Sequence, residues 1–283
     1  MRKLFALAVL FSVYLSSNAQ ELLSKKGTHI LPEAKDWSIG LQAEPFLKYF
    51  GNFFNKDNND NTTLKPQIPL TLTGLYVKDD HTAYRMKLRI GMNSRTTNNF
   101  VDDDNYTGAP PISKTTDTWK ATSTDLTIGA GIQKNRGKGR LRGIYGLELG
   151  IGFGSSTDKY TYGNSFSATK SDPTSTTDWS TKDTLGNYLS GPVPTRYTKV
   201  NNPNTFSFML NGFLGAEYFF APKLSISAEY GWGFELMATG EKETFSESAD
   251  GGSGKETSTR NAKSSQMSLD VKDAGVIGLH LYF

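Results

Sequence analysis

Cysteine is absent from the 283 residues, which excludes disulfides and thiolate metal sites. Histidine occurs three times, at His29, His81 and His280. Beyond the first twenty residues, no apolar run approaches the roughly twenty residues that a membrane helix needs, so a bundle of membrane helices is excluded. Neither sign of charge dominates: 31 Lys and Arg stand against 28 Asp and Glu. Two of the positives, Arg2 and Lys3, sit at the extreme N-terminus. No basic patch of the nucleic-acid-binding kind remains, and no nucleic-acid partner is expected.

What is present begins with an export pattern. Arg2 and Lys3 precede an apolar stretch at 4–15, followed by small residues at Ser17 and Ala19. Such an arrangement reads as a signal peptide, with cleavage expected after Ala19. The chain then divides into a signal peptide at 1–19, an N-terminal periplasmic segment at 20–36 and one β-domain at 37–283.

The β-domain alternates with a period of two. Tyr84, Met86, Leu88, Ile90 and Met92 interleave with Arg85, Lys87, Arg89, Gly91 and Asn93. Tyr145, Leu147, Leu149, Ile151 and Phe153 interleave with Gly146, Glu148, Gly150, Gly152 and Gly154. Successive side chains of a strand point to opposite faces, so each segment has one apolar and one polar face. Eight such segments predict an all-β fold, an eight-stranded antiparallel up-and-down transmembrane β-barrel. Apolar residues would face lipid and charges the lumen.

Short links at 78–82, 136–139 and 221–223 alternate with long ones at 51–67, 96–121, 155–204 and 239–266. Short periplasmic turns and long surface loops are the outer-membrane arrangement. Both termini are then periplasmic, and four long loops face outward. Aromatics on the lipid-facing parity sort into two belts: Trp37, Tyr76, Tyr84, Tyr218 and Phe220 at the periplasmic level, and Tyr49, Phe153, Phe206, Phe208 and Phe234 at the outer edge. Aromatic rings favour membrane interfaces.

The same parity sends Glu44, Lys48, Arg85, Lys87, Arg89, Asp125, Arg140, Arg142, Glu148, Glu217, Glu229 and Glu235 into the lumen. Eight strands enclose a space that side chains just fill. Charges of both signs there predict an ion-pair network that plugs the barrel; the alternative is a narrow pore. His280 points inward near the periplasmic end, as a partner for acids such as Glu217 or as a rim residue.

The alternating strands and the terminal segment Leu279-His280-Leu281-Tyr282-Phe283 resemble small outer-membrane β-barrel proteins of Gram-negative bacteria, of the OmpA transmembrane-domain, OmpX and OmpW types. The Asn18-Ala19-Gln20 junction resembles that of Bacteroidetes proteins. The resemblance implies that Leu279, Leu281 and Phe283 form the signal read by the barrel-assembly machinery. It further implies outer-membrane lipid and lipopolysaccharide as surroundings.

Enzymatic chemistry is not expected, because no histidine falls near the outer rim. No cofactor or metal is expected either: the acidic clusters at 57–60 and 102–104 lack the glycine and closing glutamate of a calcium loop. The expected role is structural or interactive, through surface loops. Loop 155–204 carries Trp179, Tyr188 and Tyr197 as contact candidates, or as side chains that pack the loop on itself. The alternative function is a pore or transporter for small ionic or apolar solutes.

Overall fold

The computed structural model describes residues 22–43, 71–184, 186–250, 253–270 and 276–283. The strands, in chain order, are β1 (Trp37–Ala43), β2 (Thr71–Asp79), β3 (Thr82–Asp102), β4 (Lys114–Arg136), β5 (Leu141–Thr161), β6 (Thr174–Lys182), β7 (Tyr188–Pro192), β8 (Thr195–Asn201), β9 (Thr205–Ala221), β10 (Leu224–Thr239), β11 (Lys242–Asp250), β12 (Ser253–Asn261), β13 (Ser264–Asp270) and β14 (Val276–Tyr282). Every pairing is antiparallel.

Eight of these strands form a closed ring. The pairings run β1–β2–β3–β4–β5–β9–β10–β14 and return to β1. β13 continues the eighth strand along β10. Closure leaves no exposed edge at this level. Trp37 and Phe283 close the seam: each accepts the other's backbone N–H, both at 2.9 Å. The two chain ends of the ring therefore lie at the end that carries the tight turns.

Alternation explains which faces are which. Met86, Ile132, Leu147, Leu214 and Leu281 point away from the ring and are between 48 and 63% exposed. Arg85, Gln133, Glu148, Glu217 and Glu229 point inward and are buried. A soluble sheet would have the reverse assignment. Glycines let the inner face close up. A Cβ at Gly146 would overlap the Ile132 carbonyl oxygen and lie 2.8 Å from the Phe213 ring.

The loop end departs from the sequence reading. Links expected at 96–121, 155–204 and 239–266 are largely strand. β3 and β4 stay in register to Asp102 and Lys114, leaving a link of 103–113. β5 runs to Thr161, where its far end pairs with β8. β8 pairs with β11, and β11 with β12. β6 and β7 form a separate hairpin. These segments are polar on both faces, so they lack the alternation that marks a half-buried strand. Their threonines nonetheless favour extended backbone, and neighbouring ladders supply the hydrogen bonds. The expected link at 51–67 lies outside the described residues.

Candidate functional site in the ring interior

The ring interior is built in three levels. At the turn end it is apolar: Ile30, Leu75, Val77, Ala83, Phe219 and Tyr282 form one buried cluster. Five of these come from the ring. Ile30 comes from the preceding segment, which folds back across the turn end. Lys223, in the two-residue turn after β9, adopts a left-handed φ of 54°. Its N–H donates to the Ile30 carbonyl at 3.0 Å, and its ammonium lies 2.8 Å from Asp36. The Val77 N–H donates to the Asp36 carbonyl, and the Lys35 N–H to the Val77 carbonyl. The segment is thus sewn to the ring at two points, Val77 and the turn residue Lys223.

The middle level is ionic. The Arg85 guanidinium donates two hydrogen bonds to the Glu229 carboxylate, at 3.0 and 2.7 Å. It also reaches Glu148 at 3.2 Å and lies over the Phe213 ring, 4.5 Å from its centroid. Glu148 is held from the other side by Lys87 at 3.1 Å. Gln42 donates to Glu229 at 3.4 Å, and Gln133 donates to Asn135 at 3.0 Å. Closer to the turns, Glu217 accepts hydroxyl donors from Ser225 at 2.6 Å and Tyr282 at 2.8 Å, with Arg142 at 3.7 Å. Buried charges persist where they are paired and hydrogen-bonded, and each acid here has at least two partners.

The third level opens toward the loops. A polar cavity of about 180 Å³ is lined by Lys87, Arg89, Thr127, Glu148, Ser207 and Glu235, among others. Its floor is the ionic layer.

The expected lumen residues fall into distinct places. Arg85, Lys87, Glu148, Glu217, Glu229 and Arg142 are drawn together as described. Arg89 and Glu235 line the cavity above them. Asp125 lies on the inner face of β4 but is exposed. Arg140 precedes the first residue of β5, is exposed, and donates to the Phe220 carbonyl at 3.4 Å. Glu44, Lys48 and Tyr49 lie outside the described residues. His280 is buried, and its Nε2 meets the Ser227 hydroxyl at 3.2 Å; the hydrogen bonds of Glu217 go elsewhere. Leu279, Leu281 and Phe283 face outward and are exposed. Trp37, Tyr84, Phe153, Phe206, Phe208, Tyr218 and Phe220 are also exposed on the outer face. Tyr76 and Phe234 are half-buried, Tyr76 between Trp37 and Tyr84.

Sequence reasoning missed the apolar seal. Phe219 and Tyr282 fall on the polar parity of their strands, and apolar residues at polar-parity positions were the available signal. Nothing in sequence marked Ile30.

Above the ring, the loops pack on themselves. Trp119 and Tyr160, toward the ends of β4 and β5, stack with centroids 6.4 Å apart; Trp179 packs at a tilt against both, at 6.2 and 6.4 Å, and Tyr188 against Trp179 at 5.6 Å. Arg196 is buried between Glu247 at 2.7 Å, Ser175 at 2.6 Å and the Asn164 carbonyl at 2.7 Å. Asp117, fully buried, accepts from the Gly163 N–H and from the Thr176 N–H and hydroxyl. Asp104 accepts the N–H and hydroxyl of Thr174 at 2.7 and 2.8 Å. Burial raises this carboxyl, but those two donors and Lys170 outweigh it and hold it below the ordinary carboxylate range. Tyr197 and Leu189 remain exposed.

No family model matches the sequence, and no curated protein sequence does. Solved structures of outer-membrane proteins do align with it. One is the outer membrane protein OprG from Pseudomonas aeruginosa, at 13% identity over 90% of this chain and 98% of that one, with a TM-score of 0.32. Another is a major outer membrane protein from Thermus thermophilus, at 11% identity over 89% and 100%, with a TM-score of 0.35. Both resemblances are too loose to carry over a function.

Proposed function

We propose that this chain is an integral outer-membrane protein of a Gram-negative bacterium. In this reading the ring is an eight-stranded up-and-down transmembrane β-barrel, with a plugged interior and both termini in the periplasm. The observation that carries it is the inverted distribution of side chains around a closed ring, apolar outside and ionic inside. A belt of exposed Leu, Ile, Met and aromatic side chains this continuous has no place on a soluble monomer. In a bilayer the same belt needs no further partner, and closure satisfies the backbone that lipid cannot.

The role we assign is structural and interactive, not enzymatic. Membrane lipid surrounds the belt, and Leu279, Leu281 and Phe283 present the terminal pattern to the assembly machinery. Any surface recognition through 155–204 falls to exposed side chains such as Leu189 and Tyr197, since Trp179 and Tyr188 are spent on internal packing. Against the pore alternative stands the ionic layer, whose bonds cross the interior beneath the polar cavity.

Two measurements on the purified full chain test this. Heat-modifiable gel migration in detergent is expected for the barrel; its absence would sink the membrane reading. Planar bilayers are expected to show no steady conductance, and steady channels from the unaltered protein would replace the plug with the pore.

A further inference from the structure

Three lysines form a single cross-strand row on the outer face of the sheet, beyond the last apolar outward residues of β4 and β5. Lys120 of β4 lies directly opposite Lys159 of β5, and Lys159 directly opposite Lys199 of β8. Residues directly opposite on adjacent strands share a face. Lys159 has the parity of the exposed, outward Phe153, and Lys120 that of the outward Ile128 and Ile132. All three are exposed.

None of the three has an ion-pair partner among the described residues. Lys199 has only the Phe245 ring, 5.7 Å away. The nearby acid on β11, Glu243, is taken by Arg260 at 3.0 Å and Asn201 at 3.3 Å. Thr118, Thr122, Thr157 and Thr161 flank the row on the same face. Like charges placed directly opposite destabilise a sheet, and a merely solvated face interleaves its signs. This row concentrates one sign over about 10 Å, two strand spacings.

Its height selects the anion. Lys120 and Lys159 lie six residues beyond Leu126 and Phe153, the last apolar outward residues of their strands. Six residues span about 20 Å of strand, or about 15 Å along the membrane normal at a barrel tilt of about 40°. Ordinary phospholipid headgroups extend only about 5–8 Å beyond the hydrocarbon. An anion that meets this row must therefore be carried on a taller, sugar-built headgroup. We propose that Lys120, Lys159 and Lys199 dock the phosphorylated sugar headgroup of an outer-leaflet glycolipid. The proposal rests on the membrane reading above and gives it a lipid-specific site.

The test uses the full chain in detergent micelles, with lipopolysaccharide and dephosphorylated lipopolysaccharide as probes. Each lysine near an anionic surface contributes about fivefold in affinity, so the K120Q/K159Q/K199Q variant is expected to bind the phosphorylated probe about a hundredfold more weakly. The K120R/K159R/K199R variant, which keeps the charge, is expected to bind within a few-fold of the parent. The row makes no ion pair, so both variants are expected to keep heat-modifiable migration. Unchanged binding by the glutamine variant with its barrel intact would overturn the proposal, as would equal binding of the dephosphorylated probe. Competition by millimolar inorganic phosphate, or equal affinity for phosphatidylglycerol vesicles, would overturn the assignment to a glycolipid. A chain that shows no heat-modifiable barrel overturns the membrane reading and this site together; an intact barrel without glycolipid preference overturns this site alone.

Discussion

Arg85 and Glu229 join opposite walls of the ring. β3 and β10 are four strands apart in either direction around the eight, so a bidentate pair at 3.0 and 2.7 Å spans the full width of the interior. Both side chains are more than nine-tenths buried. The pair acts as a crossbar that sets the separation of the two walls.

Breaking one side of the crossbar leaves an uncompensated buried charge, a loss of about 3–5 kcal/mol. Glu229→Leu is expected to lower unfolding stability in lipid vesicles by that amount. The double variant R85M/E229L replaces the pair with apolar packing and is expected to recover most of the loss. Denaturant titration followed by tryptophan fluorescence reads both, and equal stability of the single variant and the parent would show that the crossbar carries no load.

The seal at the turn end depends on one side chain from outside the ring. Ile30→Asp places a carboxylate among Leu75, Val77, Phe219 and Tyr282, where no basic group is in the cluster. Residues 22–36 are expected to detach and become cleavable by added protease, while heat-modifiable migration persists. Protection equal to the parent's would show that backbone bonds alone hold the segment.

Close approach at the inner face is expected to discriminate between glycines. Gly146→Ala drives a methyl into the Ile132 carbonyl and the Phe213 ring, whereas a Cβ at Gly191 meets nothing within 4 Å. The first substitution is expected to cost about 1–3 kcal/mol by overpacking, the second to stay within about 0.5 kcal/mol. Comparative denaturation midpoints check the pair; similar losses at both sites would contradict the packing account.

The loop-end cap carries a pH dependence of known sign. Asp104 titrates below its unfolded value in the folded chain, so its anchoring of Thr174 is fully present above the unfolded value of about 3.9. That contribution is lost as pH falls through the lower folded value. Amide exchange at Thr174 is expected to be flat from pH 8 to 5, after correction for intrinsic rates, and to lose protection below about pH 4. Asp104→Asn is expected to abolish the acid-dependent step; an unchanged step in that variant would place its origin elsewhere.

Legibility in the sequence followed burial pattern. Strands that separate an apolar from an ionic environment alternate, so β3, β5, β9 and β10 could be read residue by residue. β6, β7, β8, β11 and β12 separate nothing, since polar residues occupy both faces, and their pairing depends on neighbours distant in the chain.

The sequence by itself determined the alternation, the number of ring strands, the tight turns, and that Arg85, Glu148, Glu217 and Glu229 share one face. Those features are local, written in a period of two and in short polar links. Tertiary structure alone decided that Arg85 reaches Glu229 across the ring, that Ile30 returns to seal the turn end, and that Lys120, Lys159 and Lys199 align in one row. Each of these depends on ring closure and on register between strands far apart in sequence, and register is set by the whole set of cross-strand pairings, which no single segment encodes.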